Sequence, residues 1–304
     1  MPESANHSDN SEDTALVTAC YGRRGLIESH SGEELPYLAA SRRHKPVCGD
    51  RVQFEVRADD SPAVLRSILP RRNELSRRAA NGRTEIVAAN FSLLAIVVAL
   101  EPAPDYELVD RLLCAAASAG TESLVVWNKI DLGRVQPLRL REYTAAGLEL
   151  LEVSALAGTR LRRLRRRLAS HVTVFAGQSG AGKSTLINAL LGRDVAAAGD
   201  LSERGRHGRH TTASAAMYAL PGGGRVMDLP GVRSLMPALA DYADLAAGFP
   251  EFSDFAAECR FANCRHRNEP GCMVLEAVAA GRLPPGRHAG YLALLREFEE
   301  LSER

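Results

Sequence analysis

The chain has 304 residues, 45% of them apolar and 25% charged, with a net charge of +1. That is the balance of an ordinary globular protein, long enough for two or three domains with substantial cores. No apolar run approaches the ~20 residues of a membrane span, and a near-neutral charge excludes a uniformly basic nucleic-acid binder, so any RNA contact must come from local patches.

Residues 1–13 (MPESANHSDNSED) hold four acids, no Lys or Arg and no apolar segment. This is not a signal peptide but the composition of a disordered tail. A cytoplasmic protein is expected, with Cys20, Cys48 and Cys114 reduced and structural. From Thr14 to Arg78 the pattern is short strands and turns: Ala15 to Tyr21 with Gly25 to Ser29 as a hairpin, then Leu35 to Ala40, Gly49 to Val56 and Val64 to Leu69. Five short strands in about sixty residues fit a small β-barrel. Arg23, Arg24, Arg42, Arg43, His44 and Lys45 fall in or near its loops, where they serve either an RNA or a protein contact. Pro70 to Arg78 is polar and is expected to be a linker.

An α/β domain is expected from residue 79 to about 245. Phe91 to Leu100 is continuously apolar, as in a strand covered on both faces, and Tyr106 to Ala117 is an amphipathic helix. Leu124 to Trp127 is an apolar strand that ends in Asn128-Lys129-Ile130-Asp131. An NKxD turn at a strand end discriminates guanine, because the Asp131 carboxylate can accept from both N1–H and the exocyclic amine. A site built on such pairing rejects the wrong base strongly. Asn128 is expected on the O6/N7 edge and the Lys129 stem over the ring. Ser154-Ala155-Leu156, ending the strand Leu148 to Val153, is the matching loop whose backbone N–H meets O6.

The helix expected from Thr159 to Ser170 holds Leu161, Leu164 and Leu168 on one face and six arginines, at 160, 162, 163, 165, 166 and 167, around the rest. Those arginines form either a solvated back or a phosphate-contacting surface. The strand His171 to Ala176 then leads into Gly177-Gln178-Ser179-Gly180-Ala181-Gly182-Lys183-Ser184, followed by a helix from Thr185 to Leu191. Strand, GxxxxGKS and helix make up the context of a phosphate-binding loop. Its backbone N–H groups and helix N-terminus cradle phosphates, Lys183 reaches the β- and γ-phosphates, and Ser184 ligates Mg²⁺.

SERGRHGRHTT, between Gly192 and Ala213, has the composition of a switch loop that orders on a ligand. Thr211 and Thr212 are both candidates for the threonine that binds Mg²⁺. In Asp228-Leu229-Pro230-Gly231, Asp228 would hold Mg²⁺ through water and the Gly231 N–H would meet the γ-phosphate. The next residue is Val232, where many GTPases carry the Gln that orients the attacking water. Valine cannot do this, so intrinsic hydrolysis is expected to be slow. His210 is the candidate substitute, or else a contact residue of the switch loop.

From about residue 246 a C-terminal module carries Cys259, Cys264, His266 and Cys272 within fourteen residues. Three thiolates and one imidazole make a closed tetrahedral set for one structural Zn²⁺, on which so small a module should depend. Val274 to Ala280 and Tyr291 to Leu301 are expected helices.

The motif order NKID, SAL, GQSGAGKS, RHTT, DLPG puts first the motifs that come last in an ordinary GTPase and marks a circular permutation, cheap because domain termini commonly lie close together. With that order, GRHTT, DLPGV and CRFANCRHRNEPGC, the chain from Thr14 onward resembles the ribosome small subunit-dependent GTPases, circularly permuted bacterial enzymes of small-subunit maturation. The resemblance implies an OB-fold at 14–78, a permuted GTPase domain at 79–245 and a helical zinc-binding domain at 246–304. It also implies GTP as substrate with Mg²⁺, and the small ribosomal subunit and its rRNA as partners, with Arg260, Arg265 and Arg267 as plausible phosphate contacts. A monomer off the membrane is expected. One departure is Phe91-Ser92-Leu93, where the family usually has an Asp-Gln pair after Ala-Asn, so no role is carried to that place. Two other functions fit parts of the pattern: an RNA-binding chaperone in which GTP only sets affinity, and a small-molecule kinase, which NKID and the lack of an acceptor site disfavour.

Overall fold

The computed structural model describes residues 14–41, 45–56, 61–78, 83–133, 136–194, 215–229 and 241–302. The first thirteen residues, the basic trio Arg42, Arg43 and His44, and the switch residues His210, Thr211, Thr212, Gly231 and Val232 lie outside the described residues.

Strands β1 (Thr14–Tyr21), β2 (Arg24–Ser29), β3 (Glu34–Ala39), β4 (Arg51–Glu55) and β5 (Ala63–Ile68) close a barrel in the order β1-β2-β3-β5-β4-β1. Only the β3–β5 pair is parallel. The period-two alternation puts Val17, Ile27, Tyr37, Val52, Phe54 and Leu65 inside, and these form the barrel core. Gly25 is required there, because a Cβ would lie 2.0 Å from the Ala19 carbonyl oxygen and 2.6 Å from the Tyr37 ring. This is the OB-fold barrel.

The polar stretch after Pro70 is not the linker that its composition suggests. Glu74–Arg78 is strand β6, paired antiparallel with β7 (Thr84–Ala89), and Arg71 reaches back to the fully buried Asp50 carboxylate at 2.7 and 2.9 Å. Among the described side chains of β6 only Leu75 is fully buried, which leaves no alternation to read.

The α/β layer is built on β8 (Leu93–Ala99), buried at all seven positions. Beside it run β9 (Glu122–Asn128), β10 (Leu150–Glu152), β11 (Val172–Ala176) and β13 (Arg225–Asp228) in parallel, with β12 (Ala215–Ala219) antiparallel to β13. Successive β8 side chains point to opposite faces. Leu94, Ile96 and Val98 pack with Leu108, Val109 and Leu112 of helix α1 (Tyr106–Ser118). Leu93, Ala95 and Val97 pack with the leucines of α3 (Leu161–Leu168) and with Leu186 and Leu190 of α4 (Lys183–Leu191). Helix α2 (Leu138–Ala145), which has little apolar periodicity, covers the α1 side through Leu140 and Tyr143. Pairing of Ala19 with Ala216 and of Cys20 with Ala215 makes barrel and α/β layer one eleven-stranded sheet, reinforced by Arg225 on Glu28 at 2.5 and 2.8 Å.

The C-terminal module comprises α5 (Tyr242–Ala247), the short helix α6 (Ser253–Ala256), α7 (Met273–Ala279) and α8 (Pro285–Ser302), around Phe249, Phe252, Val274, Tyr291 and Leu295. Cys114 of α1 belongs to the same apolar cluster, so the module grips the α/β layer through α1. Gly290 permits that approach: a Cβ there would sit 2.1 Å from an Asp110 carboxylate oxygen. No helix among the described residues is long and apolar enough to cross a membrane.

Candidate nucleotide site and metal centre

The loops after β11 and β9 meet at the carboxyl ends of the strands, where ligands of open α/β sheets bind. Gly177, Gly180 and Gly182 have φ of +131°, +79° and +91°, and these values give the phosphate loop its curl. Lys183 starts α4 and its ammonium donates to the carbonyls of Gly177 (2.7 Å) and Gln178 (2.8 Å), lying across the loop it encloses. Ser184 and Thr185 are exposed on the first turn of α4, as is Ser179 in the loop. Asp228 ends β13; burial pushes its carboxyl up while the Lys183 ammonium pulls it back.

Asn128 joins the two loops. It is 1% exposed; its Nδ2 donates to the Ala181 carbonyl at 3.0 Å and its Oδ1 accepts from the Ala155 N–H at 3.1 Å. An amide has two N–H donors, so one remains for a ligand, and bracing the phosphate loop against the Ser154-Ala155 loop is the role the geometry gives Asn128. Both contacts sit beside the expected base-edge role of Asn128 and leave its second N–H for it, while the Ala155 N–H is engaged by Asn128. Gly182 makes the contact possible, since a Cβ there would lie 2.5 Å from Asn128 Nδ2.

Asp131 is exposed, and its carboxylate accepts a hydrogen bond from the hydroxyl of the fully buried Ser154, which itself accepts from the Ala157 N–H at 3.0 Å. Ser154 therefore aims the carboxylate. Lys129, at φ +61°, extends to the Glu101 carbonyl at 2.7 Å, away from an isolated surface position.

Sequence reasoning missed the loop from Glu101 to Asp105. Gln178 donates to the carbonyls of Pro102 (3.1 Å) and Ala103 (2.7 Å) and accepts from the Asp105 N–H (2.5 Å). Asp105 in turn caps α1 by accepting from the Leu108 N–H at 3.0 Å. The side chain of Gln178 is thus a clamp on the start of α1. Two prolines in four residues were the available signal, and they mark a turn without naming its partner.

In the C-terminal module the four donor atoms of Cys259, Cys264, His266 and Cys272 lie within 4.8 Å of one another. His266 Nδ1 is 3.4 Å from Cys272 Sγ and 3.7 Å from Cys259 Sγ, and the two sulfurs are 4.0 Å apart. Zn–S bonds of about 2.3 Å in a tetrahedron require sulfurs a little under 4 Å apart, so the set fits a tetrahedral ion. Cys272 is also the residue before α7 and part of the apolar cluster, which fuses the centre to the core. Burial, with the adjoining thiols, pushes Cys264 up to about 12, so a metal bound there displaces protons. Glu269 shapes the loop by accepting from the N–H groups of Arg265, Arg267 and Asn268; against the opposing pull of desolvation, these donors bring it down to about 2. Arg265 stacks on Tyr242 at 3.2 Å and Arg267 pairs with Glu299, whereas Arg260 is exposed.

Comparison with known proteins agrees with this geometry. The RsgA GTPase family model matches residues 68–237. A protein of Azotobacter vinelandii named "Small ribosomal subunit biogenesis GTPase RsgA" is 40% identical over 298 residues, 95% of this chain and 87% of the relative. One of the same name from Pseudomonas aeruginosa strain LESB58 is 39% identical over 294 residues, 95% of this chain and 86% of that one. The crystal structure of YjeQ from Thermotoga maritima superposes with a TM-score of 0.72 at 28% identity, covering 96% of this chain and 99% of that one. YloQ, a circularly permuted GTPase, superposes at 0.68 with 20% identity over 97% and 98% of the two chains, a likeness of fold. A permuted order of nucleotide motifs on this fold, and near-full-length relatives at this identity, place the chain in the RsgA GTPase family.

Proposed function

We propose that the protein is a GTP-hydrolysing switch that binds the small ribosomal subunit, assists its late maturation and is activated by it. The observation that carries this is the Asn128 brace between a phosphate loop and an NKID loop, in a chain about two-fifths identical to proteins named as small ribosomal subunit biogenesis GTPases. In this proposal residues 79–245 bind and hydrolyse GTP, while the barrel (14–78) and the C-terminal module (246–304) read the subunit and its rRNA. The protein acts in the cytoplasm as a monomer.

The backbone from Gly177 to Thr185 holds the phosphates and Lys183 neutralises charge on the β- and γ-phosphates. Asp131, aimed by Ser154, takes the guanine N1–H and N2 amine. Ser184 and Thr212 (or Thr211) would ligate Mg²⁺, with Asp228 acting through water and the Gly231 N–H on the γ-phosphate. Bound Mg²⁺ supplies neutralisation of the charge that develops on the phosphate oxygens. Water attacks the γ-phosphorus and GDP leaves, a reaction in which positioning and electrostatics do most of the work. Val232 offers no group to orient that water, so basal turnover is slow. His210 is the candidate that completes the site when the subunit orders the switch.

Asp131→Asn is expected to weaken GTP binding by at least about a hundredfold and to favour xanthosine triphosphate, because an amide N–H then faces the C2 oxygen. Competition between the two nucleotides measures this; an unchanged preference for guanine would remove Asp131 from base recognition.

One structural Zn²⁺ would be held by Cys259, Cys264, His266 and Cys272. Stripping it with a chelator is expected to abolish hydrogen-exchange protection in α7 and α8, whose core it anchors, while β8 stays protected. Unchanged protection in α7 would mean that the module folds without metal.

A further inference from the structure

The six arginines around α3 divide into two groups. Arg160 pairs with Glu152, Arg167 pairs with Glu122 (2.5 Å) and Glu149 (2.8 Å), and Arg165 donates to the Ala189 and Leu190 carbonyls at 2.7 and 3.1 Å, closing the C-terminal end of α4. These three hold the fold together. The side chains of Arg162, Arg163 and Arg166 are exposed and make no ion pair or hydrogen bond among the described residues. They lie at i, i+1 and i+4, so Arg162 and Arg163 each neighbour Arg166 on one strip of helix, with Cβ atoms about 5–6 Å apart.

The strip does not end at the helix. Arg160 and Arg163 line a groove of about 470 Å³ together with Arg141 and Thr144 of α2, Gln136 and Glu152. Arg141 is likewise exposed and unpaired among the described residues. The one acid lining the groove, Glu152, is already matched by Arg160 and by Gln136 at 2.6 Å. Arg141 and Arg163 thus line one groove with no carboxylate partner among the described residues, and Arg162 and Arg166 continue the exposed basic face of α3, in a protein whose net charge is only +1.

Such an arrangement is costly in self-repulsion unless a polyanion covers it, and its linear spacing matches successive phosphates better than a single small anion. Arginine's fork also suits phosphate oxygens geometrically. An acidic protein segment would be less well served, because the groove offers no apolar anchor beyond Leu150 and Ala145.

We propose that this groove and the outer face of α3 bind the phosphodiester backbone of an RNA strand, giving the GTPase domain its own RNA contact apart from the barrel and the zinc module. The inference rests on the subunit-binding function proposed above. The surface backs directly onto the base-recognition loop. Ser154 bridges to Thr159, and Arg160, at the N-terminus of α3, faces the groove from the far end of that same loop. An RNA seated there would abut the loop from Ser154 to Arg160, whose buried Ser154 donates to Asp131.

The test is binding of the full chain, loaded with a non-hydrolysable GTP analogue, to purified small ribosomal subunits and to protein-free small-subunit rRNA over a series of KCl concentrations. Arg162→Gln/Arg163→Gln/Arg166→Gln should weaken both interactions at least about tenfold and lower the slope of log affinity against log salt by about 2–3. The corresponding triple lysine variant should keep most of the slope. GTP affinity and basal hydrolysis should not change in either, which shows that the fold is retained. An unaltered slope in the glutamine variant, with normal binding by the unsubstituted protein, overturns the surface assignment alone. Loss confined to intact subunits assigns the groove to an acidic protein and overturns the RNA contact. Failure of the unsubstituted protein to bind subunits overturns the proposed function and this surface with it.

Discussion

Replacing Arg287 with alanine is expected to destabilise the docking of the C-terminal module by about 3–5 kcal/mol. Arg287 is completely buried; it donates to Asp110 of α1, to Glu251 at 2.6 Å and to the Gly248 carbonyl at 2.7 Å, and lies 4.2 Å from the centre of the Phe249 ring. Burial raises the Asp110 carboxyl, and Arg287, Arg139 and Tyr143 pull it back. Removing the guanidinium leaves Asp110 with only Arg139 and Tyr143 and takes the buried donor from Glu251 and the Gly248 carbonyl, which costs far more than losing a surface pair. Native-state hydrogen exchange should show α5 and α8 opening at much lower free energy while β8 is hardly affected. Adding Asp110→Asn to Arg287→Ala should recover part of the loss, since a fully buried charge left with one cation instead of two is gone. Equal stability of the parent and the single variant would mean that the buried network does not hold the module.

Gly182→Ala is expected to cost nucleotide affinity roughly two orders of magnitude, with the global fold retained. Two penalties act at once. The position needs φ of +91°, and its new Cβ would fall 2.5 Å from Asn128 Nδ2. Asn128 must then move, breaking its bonds to Ala181 and Ala155, so the phosphate loop and the base loop lose their common brace. Titration with a fluorescent guanine nucleotide reads this directly. Gly192→Ala is the matched control: φ there is +69°, with nothing within 4 Å of a Cβ. It bears the same kind of backbone strain at the far end of α4, and its nucleotide affinity should be nearly normal. If the two variants bind equally well, strain alone would account for Gly182 and the brace would be dispensable.

What the sequence made legible was local. GQSGAGKS, NKID and the Cys/His set each lie within a single turn or loop, so spacing alone carries the chemistry, and the apolar run around β8 announced a strand covered on both sides. The long-range pairings were not legible. Asp110 and Arg287 are 177 positions apart, and a charged residue on an amphipathic helix looks solvated until its partner is known. The Gln178 clamp was hidden because a phosphate-loop side chain is normally read through its backbone. Residues 70–78, which include β6, read as a linker because their one apolar side chain within the strand, Leu75, gives no alternation to follow. The arginines of α3 look uniform in sequence, and only the positions of Glu122, Glu149, Glu152 and the end of α4 sort them into structural and available groups.

The most direct test of the switch is multiple-turnover GTP hydrolysis by the purified protein alone, with small ribosomal subunits, and with large ones. The proposed function predicts a slow basal rate that rises on the order of 10³-fold with small subunits and stays unchanged with large ones. A rate indifferent to small subunits, in the presence of GTP-dependent binding to them, would contradict the switch and leave a nucleotide-regulated RNA chaperone in its place.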